Sequence, residues 1–137
     1  MKVERVNTTD HEILTEITKQ SKAYWGYSIE QLLQWNNLLT ITKDYIASNQ
    51  VFKLVIDNKT IGYYAYFNLE ENSVKLDNLF ILPEYIGKGF GKYLMTDFLT
   101  RVKNEKFKKI TLDSEPNAED FLILCIYTSE VLTAFAN

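Results

Sequence analysis

The sequence predicts a mixed α/β fold of the α+β kind, in which a central sheet contains an antiparallel meander and carries flanking helices. Apolar residues alternate with a period of two across residues 51–82, with two turn signals inside that stretch. Helical spacing precedes it over residues 11–39 and follows it over residues 91–104. A short apolar strand at residues 108–113 comes after that helix, so it should pair in parallel with the last meander strand through a right-handed crossover.

The N-terminal half begins with an alternating strand at residues 2–6. The tetrapeptide "NTTD" then supplies N-cap residues for a helix over residues 11–24, and Ser28 caps a second helix that ends near residue 39. The aromatic segment "SKAYWGYS", residues 21–28, forms the connection between the two helices.

The meander consists of three strands that are separated by the turns "DNKT" and "ENS". We place these strands at residues 51–56, 61–70 and 74–82. The helix at residues 91–104 follows the third strand and presents a broad apolar face, so it is expected to pack on the sheet.

Length and composition indicate one globular domain that spans residues 1–137. No Pro/Gly/Ser-rich linker interrupts the sequence, and hydrophobic residues make up 46% against 24% charged residues. The formal net charge is −3 and the basic residues are scattered, so a wide basic face for nucleic acid is not expected.

The single cysteine, Cys125, excludes an intramolecular disulfide and a zinc site built from several thiolates, and we expect no metal. The longest apolar run, residues 121–127, is too short to cross a bilayer. The N-terminus lacks the apolar core of a signal peptide. These features predict a cytoplasmic protein without a membrane partner.

Three glycines, Gly87, Gly89 and Gly91, lie within five residues between the last meander strand and the next helix. Glycine in or beside a helix costs roughly 0.5–1 kcal/mol relative to alanine, so this cluster requires a reason. A helix start presents unpaired N–H groups and a partial positive charge, and glycines let a phosphate approach them closely. Lys88 and Lys92 add positive charge. The pattern favours an anion site over a plain capping loop.

Two common phosphate motifs do not fit this loop. The triphosphate-binding motif fails because the segment from Gly87 to Lys92 is one residue short and Tyr93 replaces the hydroxyl that would hold magnesium. The dinucleotide fingerprint fails because Gly91 comes one position early and the preceding strand belongs to a meander.

The stretch "LFILPEYIGKGFGKYLM", residues 79–95, resembles motif A of the GCN5-related N-acetyltransferase (GNAT) family. That motif has an Arg/Gln-x-x-Gly-x-Gly/Ala pattern after a strand and a proline-containing turn. Gly89 and Gly91 match its two glycine positions, whereas Ile86 stands at the Arg/Gln position. The order of elements over residues 1–120 is also similar to this family, which implies a GNAT fold and transfer of an acetyl group from acetyl-CoA to a primary amine of a small molecule or peptide by direct attack.

The resemblance implies that acetyl-CoA, as co-substrate, lies between the strand at residues 74–82 and the strand at residues 108–113. One set of residues would receive the pyrophosphate and another the pantetheine arm. The first set is Ile86, Gly87, Lys88, Gly89, Phe90, Gly91 and Lys92; the second is Leu79, Phe80, Ile81 and, from the next element, Asn117.

For catalysis the resemblance points to Asp77 and Asn78 in the same strand. An alkylamine is protonated at neutral pH, so a base must remove a proton before the amine attacks. Asp77 is the better base by chemistry, although a solvent-facing strand residue is an equally weighted alternative.

The acceptor amine would lie against the aromatic loop, where Tyr24, Trp25 and Tyr27 could enclose it by packing and cation–π contact. The alternative is that these rings pack the helix pair onto the sheet.

The tail at residues 121–137 departs from the family pattern. Leu122 stands where related sequences have the tyrosine that protonates the departing thiolate, and no glycine or proline divides the rest of the tail. We therefore expect C-terminal strands that are missing or altered, an open edge beyond the fifth strand, and a homodimer formed through the tail. A catalytically degenerate acetyl-CoA-binding or interaction module is the alternative function.

Overall fold

The computed structural model describes residues 1–24, 26–112 and 133–136. Five helices and six strands lie within these residues, together with two short 3₁₀ turns. The helices are α1 (His11–Tyr24), α2 (Ile29–Gln34), α3 (Asn36–Leu39), α4 (Lys43–Ser48) and α5 (Phe90–Asn104). The strands are β1 (Lys2–Arg5), β2 (Gln50–Ile56), β3 (Lys59–Glu70), β4 (Ser73–Ile81), β5 (Lys109–Leu112) and β6 (Thr133–Ala136).

The strands form one mixed sheet in the order β1-β2-β3-β4-β5-β6. The first four strands are antiparallel to their neighbours, and β5 pairs in parallel with β4 after the α5 crossover, which confirms the predicted meander and parallel pair. The expectation that the fifth strand has an open edge is wrong, because β6 pairs in parallel with β5 from Lys109↔Thr133 to Leu112↔Ala136.

The second predicted helix is two short helices, because the chain leaves helical geometry at Trp35, where φ is −88° and ψ is 5°. Trp35 ends α2 by donating its N–H to Gln31 O, and its own carbonyl accepts from Leu39 N–H in α3. Helix α4 was not predicted, since six residues are too few to show a helical period. Its start is capped by Thr42, whose hydroxyl accepts from Tyr45 N–H at 3.0 Å.

The two faces of the sheet carry different helices. Strand β3 directs Tyr63 towards α1, where its hydroxyl lies 2.6 Å from Thr18 Oγ1. The neighbouring Tyr64 and Tyr66 point to the other face, and both rings pack against Phe98 of α5. This alternation follows from the two-residue period of a strand. The core therefore lies in two layers, one on each side of β3 and β4.

Helix α5 approaches the sheet closely at Gly62. A Cβ added at Gly62 would lie 2.9 Å from Phe80 O, 3.0 Å from Ile81 Cγ1 and 3.1 Å from Leu94 Cδ1. Glycine is therefore required here by close packing, and the packing fixes the position of the first turns of α5 over β3 and β4.

A polar cluster holds the C-terminal half of α5. Tyr64 Oη donates to Asp97 Oδ2 at 2.7 Å and accepts from Arg101 Nε at 2.9 Å, while Tyr66 Oη donates to Glu105. The Arg101 guanidinium also lies 3.7 Å from the centroid of the Phe52 ring. Asp97, Arg101 and Glu105 line an open cavity of about 440 Å³ and are held by the two tyrosines, so we interpret the cavity as part of the helix anchorage.

None of the helices in the described part of the chain is long and apolar enough to span a membrane.

The buried tyrosines predict a loss of stability at high pH. Burial, as the largest cause, raises the pKa of Tyr45, Tyr63, Tyr64 and Tyr66 well above the usual value near 10. In the unfolded chain these phenols ionise near pH 10 while the folded protein keeps them protonated, so stability is fully present below pH 10 and falls above it. Each such phenol contributes a slope of about 1.4 kcal/mol per pH unit to the free energy of unfolding.

Urea unfolding measured between pH 8 and pH 11.5 should show this fall, with the phenolate absorbance appearing together with unfolding. Tyr66→Phe, which keeps the ring, should make the fall less steep. Phenolate formation by all the tyrosines near pH 10 in a protein that stays folded would contradict the burial argument.

Candidate functional site

Strand β4 contains a register shift at Asp77. On the partner strand, Ala65 pairs with Asn78 and the next residue, Tyr66, pairs with Leu76, so Asp77 is an extra residue in β4. A β-bulge of this kind interrupts the alternation of side chains between the two faces. Leu76 therefore points to the α5 face with Tyr66, whereas Asn78 points to the α1 face with Ala65.

The bulge brings the two predicted catalytic side chains together. Tyr45 Oη, which comes from α4, donates to Asp77 Oδ2 at 2.5 Å and accepts from Asn78 Nδ2 at 2.9 Å. In a regular strand two consecutive side chains would point to opposite faces and could not contact one atom. Asp77 is exposed and Asn78 is half-buried, so the carboxylate is open to solvent while the amide lies against the protein.

The phenol of Tyr45 acts here as a permanent donor. Burial and then the hydrogen bond to Asp77 raise the pKa of Tyr45 far above its usual value. The phenol therefore stays protonated at neutral pH and cannot readily give up its proton. Tyr45 therefore holds Asp77 and Asn78 in one hydrogen-bonded cluster.

The predicted pantetheine strand has one free side among the described residues. Leu79, Phe80 and Ile81 pair with β3, opposite Tyr64, Tyr63 and Gly62 respectively. On the other side, the described pairing between β4 and β5 runs only from Ser73↔Lys109 to Leu76↔Leu112. Beyond Leu76 the backbone of β4 faces no described strand, which is the arrangement that an extended ligand could join by strand addition.

The glycine loop has the geometry of an anion cradle. Gly87 and Gly89 have φ values of 82° and 87°, in the left-handed region that side chains disfavour. A Cβ added at either position would meet nothing within 4 Å, so the space in front of the loop is open. The first helical bond of α5 runs from Tyr93 N–H to Gly89 O, which leaves the N–H groups of residues 90–92 ahead of it.

The side chains around the loop divide into two kinds. Lys88 and Lys92 are exposed and supply positive charge, whereas Ile86 is half-buried and packs against the core. Lys59, from the start of β3, was missed by the sequence analysis. Its ammonium lies 5.6 Å from the centroid of the Tyr85 ring, and the Lys88 ammonium lies 5.9 Å from the same centroid.

The predicted acceptor loop is described only in part. Tyr24 is 53% exposed, and Tyr27 is half-buried with its ring edge-on to Trp35 at a centroid distance of 5.0 Å. The Lys22 ammonium lies 5.5 Å from the ring centroids of both Tyr27 and Phe80. Predicted acceptor and coenzyme residues thus meet at one ammonium group.

Two of the predicted site residues, Trp25 and Asn117, lie outside the described residues. The altered tail from Leu122 onwards lies outside them as well, apart from β6. In the part of the chain that the structure does describe, no three His, Cys, Asp or Glu side chains are grouped so that they could hold a metal ion.

Besides Lys59, sequence reasoning missed two residues near the predicted site, Tyr45 and Lys22. Both reach it through tertiary contacts, Tyr45 from α4, 32 positions before Asp77, and Lys22 from α1. The sequence did contain a signal for the bulge. The apolar residues of β4 that face α5 are Leu76, Leu79 and Ile81, and the first two are three positions apart instead of the two that a regular strand requires.

Comparison with known proteins supports the fold. A PaiA N-acetyltransferase from Thermoplasma acidophilum, solved in complex with coenzyme A, superposes with a TM-score of 0.75 at 20% identity, covering 95% of this chain and 89% of that one. A GNAT family acetyltransferase from Brucella melitensis in complex with acetyl-CoA gives 0.66 at 16% identity, covering 88% and 80%. An aminoglycoside acetyltransferase from an uncultured soil metagenomic sample, in complex with sisomicin, gives 0.60 at 18% identity, covering 93% and 86%.

Among curated proteins none matches this chain significantly. The family model of the acetyltransferase (GNAT) domain matches residues 14–122, which include most of α1, the whole meander, the glycine loop and β5. The chain therefore belongs to the GNAT acetyltransferase family.

Proposed function

We propose that this protein is an acetyl-CoA-dependent N-acetyltransferase that acetylates a primary amine of a small molecule or peptide by direct attack on the thioester. The observation that carries the proposal is the bulge in β4, which directs Asp77 and Asn78 to one face just where the described pairing with β5 ends. A carboxylate, a polar amide and a strand edge that no described residue pairs with thus occur together.

The glycine loop fits the pyrophosphate of acetyl-CoA. Open space in front of Gly87 and Gly89 leaves room for a bulky anion, and the N–H groups at the start of α5 can donate to it. Lys88 and Lys92 add charge at the same place. No side chain at position 86 is needed for these backbone contacts, so Ile86 does not prevent binding.

Acetyl-CoA supplies an activated acyl group, and this chain has to deliver a neutral amine to it. Asp77 can accept the proton from an alkylammonium group because its carboxylate is exposed and is held by Tyr45. Asn78 is held by the same phenol and can orient the amine. A backbone N–H of β4 near Leu79 can donate to the carbonyl oxygen as charge develops on it.

Transfer forms the new C–N bond and breaks the C–S bond, so the sulfur leaves as a thiolate. A thiol with a pKa near 8.5 is a tolerable leaving group, and water can protonate it. Tyr45 does not serve this step, because its raised pKa favours retention of the phenolic proton.

The neighbouring structures support the choice of ligands. Coenzyme A and acetyl-CoA are bound in two of them, and an aminoglycoside is bound in a third. The family motif has a polar residue at position 86, whereas Ile86 packs on the core. This difference favours the second candidate function, a catalytically degenerate acetyl-CoA-binding module.

A cytoplasmic location and a homodimer through residues 121–137 stay predictions of the sequence.

The first prediction of this proposal is that acetyl-CoA binds and is turned over. Calorimetric titration should give a saturable heat, and a thiol reagent should then detect free CoA when amines are added to the same sample. Binding without thiol release from any amine would favour the degenerate module. Absence of binding would contradict the interpretation of the glycine loop.

Gly89→Ala should weaken acetyl-CoA binding by about tenfold, because the new methyl group occupies the space that the pyrophosphate needs. Gly26→Ala is a matched control, since Gly26 has a φ of 88° against 87° for Gly89, and neither position has an atom within 4 Å of an added Cβ. Both variants should lose a similar amount of stability, about 1–2 kcal/mol. Equal dissociation constants of the two variants for acetyl-CoA would show that the glycine loop is not part of the binding site.

Tyr45→Phe should lower kcat/KM for the amine by about tenfold at pH 7 without changing the KM for acetyl-CoA. The variant loses the hydroxyl that holds Asp77 and Asn78.

The matched control is Tyr66→Phe, which removes a phenol-to-carboxylate hydrogen bond on the opposite face of the sheet. It should leave kcat/KM for the amine at the wild-type value. An unchanged kcat/KM in Tyr45→Phe would show that the contacts of Tyr45 with Asp77 and Asn78 have no part in the reaction.

A further inference from the structure

Helix α4 carries Tyr45 to the site, but its six residues are too few for a helix that is stable on its own. Two side chains close its turns locally. Thr42 Oγ1 accepts from Tyr45 N–H at 3.0 Å, and Asn49 Nδ2 donates to Tyr45 O at 2.8 Å. Because both bonds lie within residues 42–49, the direction in which α4 presents Tyr45 depends on contacts with the rest of the protein.

Apolar burial holds α4 in place without fixing its direction. Ile41 is 3% exposed and Ile46 is 6% exposed, and both belong to the core. The hydrophobic effect is non-directional, whereas a hydrogen bond weakens steeply when its angle falls below about 120°. The contacts of Tyr45 with Asp77 and Asn78 thus need a directional constraint in addition to this burial.

Thr15 of α1 supplies such a constraint. Its hydroxyl oxygen accepts from Ile41 N–H at 2.8 Å, and its single proton can go to His11 O at 2.8 Å or to Ile41 O at 3.2 Å. One side chain thus contacts both polar groups of the Ile41 backbone. Ile41 precedes Thr42, the N-cap of α4, so these contacts join α1 to the point where α4 begins.

We propose that Thr15 is a positioning residue for activation of the amine, and that it acts through Tyr45. Its hydroxyl orients the start of α4, and α4 in turn places the Tyr45 phenol against Asp77 and Asn78. The inference rests on the proposed N-acetyltransferase function and adds to it a residue that lies outside the site itself.

Thr15→Val keeps the shape of the side chain and removes its hydroxyl. With butylamine as the acceptor at pH 7, this variant should lower kcat/KM for the amine about fivefold. The KM for acetyl-CoA should not change, because the hydrogen bonds that are disturbed lie at Asp77 and not at the glycine loop. Thr15→Ser keeps the hydroxyl and should retain kcat/KM within about twofold of the wild-type value. An unchanged kcat/KM in Thr15→Val would overturn the inference.

Combination with Tyr45→Phe separates positioning from a general loss of structure. If Thr15 acts through the Tyr45 hydroxyl, Thr15→Val should cause no further fall in kcat/KM once that hydroxyl is absent. A second fall of the same size in the double variant would show that Thr15 acts by another route, which would contradict the inference.

Thr18→Val is the matched control, three residues later on α1. Thr18 Oγ1 donates to Leu14 O at 2.7 Å and lies 2.6 Å from the Tyr63 hydroxyl, so this variant also loses one bond within the helix and one tertiary contact. Because Thr18 is buried, Thr18→Val should lower Tm at least as much as Thr15→Val. Its kcat/KM should stay within about twofold of the wild-type value. Equal falls of kcat/KM in the two variants would point to lost stability and overturn the inference.

The side-chain amide of Asn78 gives a readout that needs no turnover. Its NH₂ group donates to the Tyr45 hydroxyl, so its NMR resonance should move in Thr15→Val towards its position in Tyr45→Phe and should not move in Thr18→Val. If no amine is acetylated, the proposed function fails, and this resonance still decides whether Thr15 positions Tyr45. A resonance that stays unchanged in Thr15→Val would refute the positioning role.

Discussion

The arrangement of the site depends on one extra residue in β4. Without the bulge at Asp77, a strand with Leu76 on the α5 face would direct Asn78 and Phe80 into the same apolar layer. The extra residue returns Leu79 and Ile81 to that layer and releases the polar side chains to the α1 face. Burying an unpaired carboxylate or amide is costly, so the bulge reconciles a continuous core with a polar site.

The two faces of the sheet accordingly carry polar groups of different kinds. On the α5 face, Tyr64 and Tyr66 bind Asp97, Arg101 and Glu105, so phenols and charges satisfy one another. No buried side-chain nitrogen or oxygen in the described ranges lacks a hydrogen-bond partner. On the α1 face the Asp77 carboxylate remains exposed, which is what a base that exchanges protons with a substrate requires.

The sequence predicted the elements that are long and periodic, because amphipathic spacing over ten or more residues outweighs local exceptions. Helix α1, the meander and α5 belong to this group. Helix α4 has too few residues to show a period, so Tyr45 was not assigned to any element. The glycine loop was recognisable because Gly87 and Gly89 perform a local backbone role. Lys22 reaches the site only through tertiary packing, and no local pattern in the sequence reports such a contact.

Helix α5 combines anchorage and the proposed anion site in a single element by separating them along its length. Its 15 residues span about 22 Å, so the first turn and the last turn lie too far apart to share contacts. Close packing at Gly62 and the Arg101 cluster hold the helix against the sheet. Arg101 and Lys103 also lie in the last turn, where positive charge stabilises the helix dipole. The first turn can therefore keep N–H groups that no described residue accepts from and a flexible glycine loop, whose entropic cost the anchored part of the helix offsets.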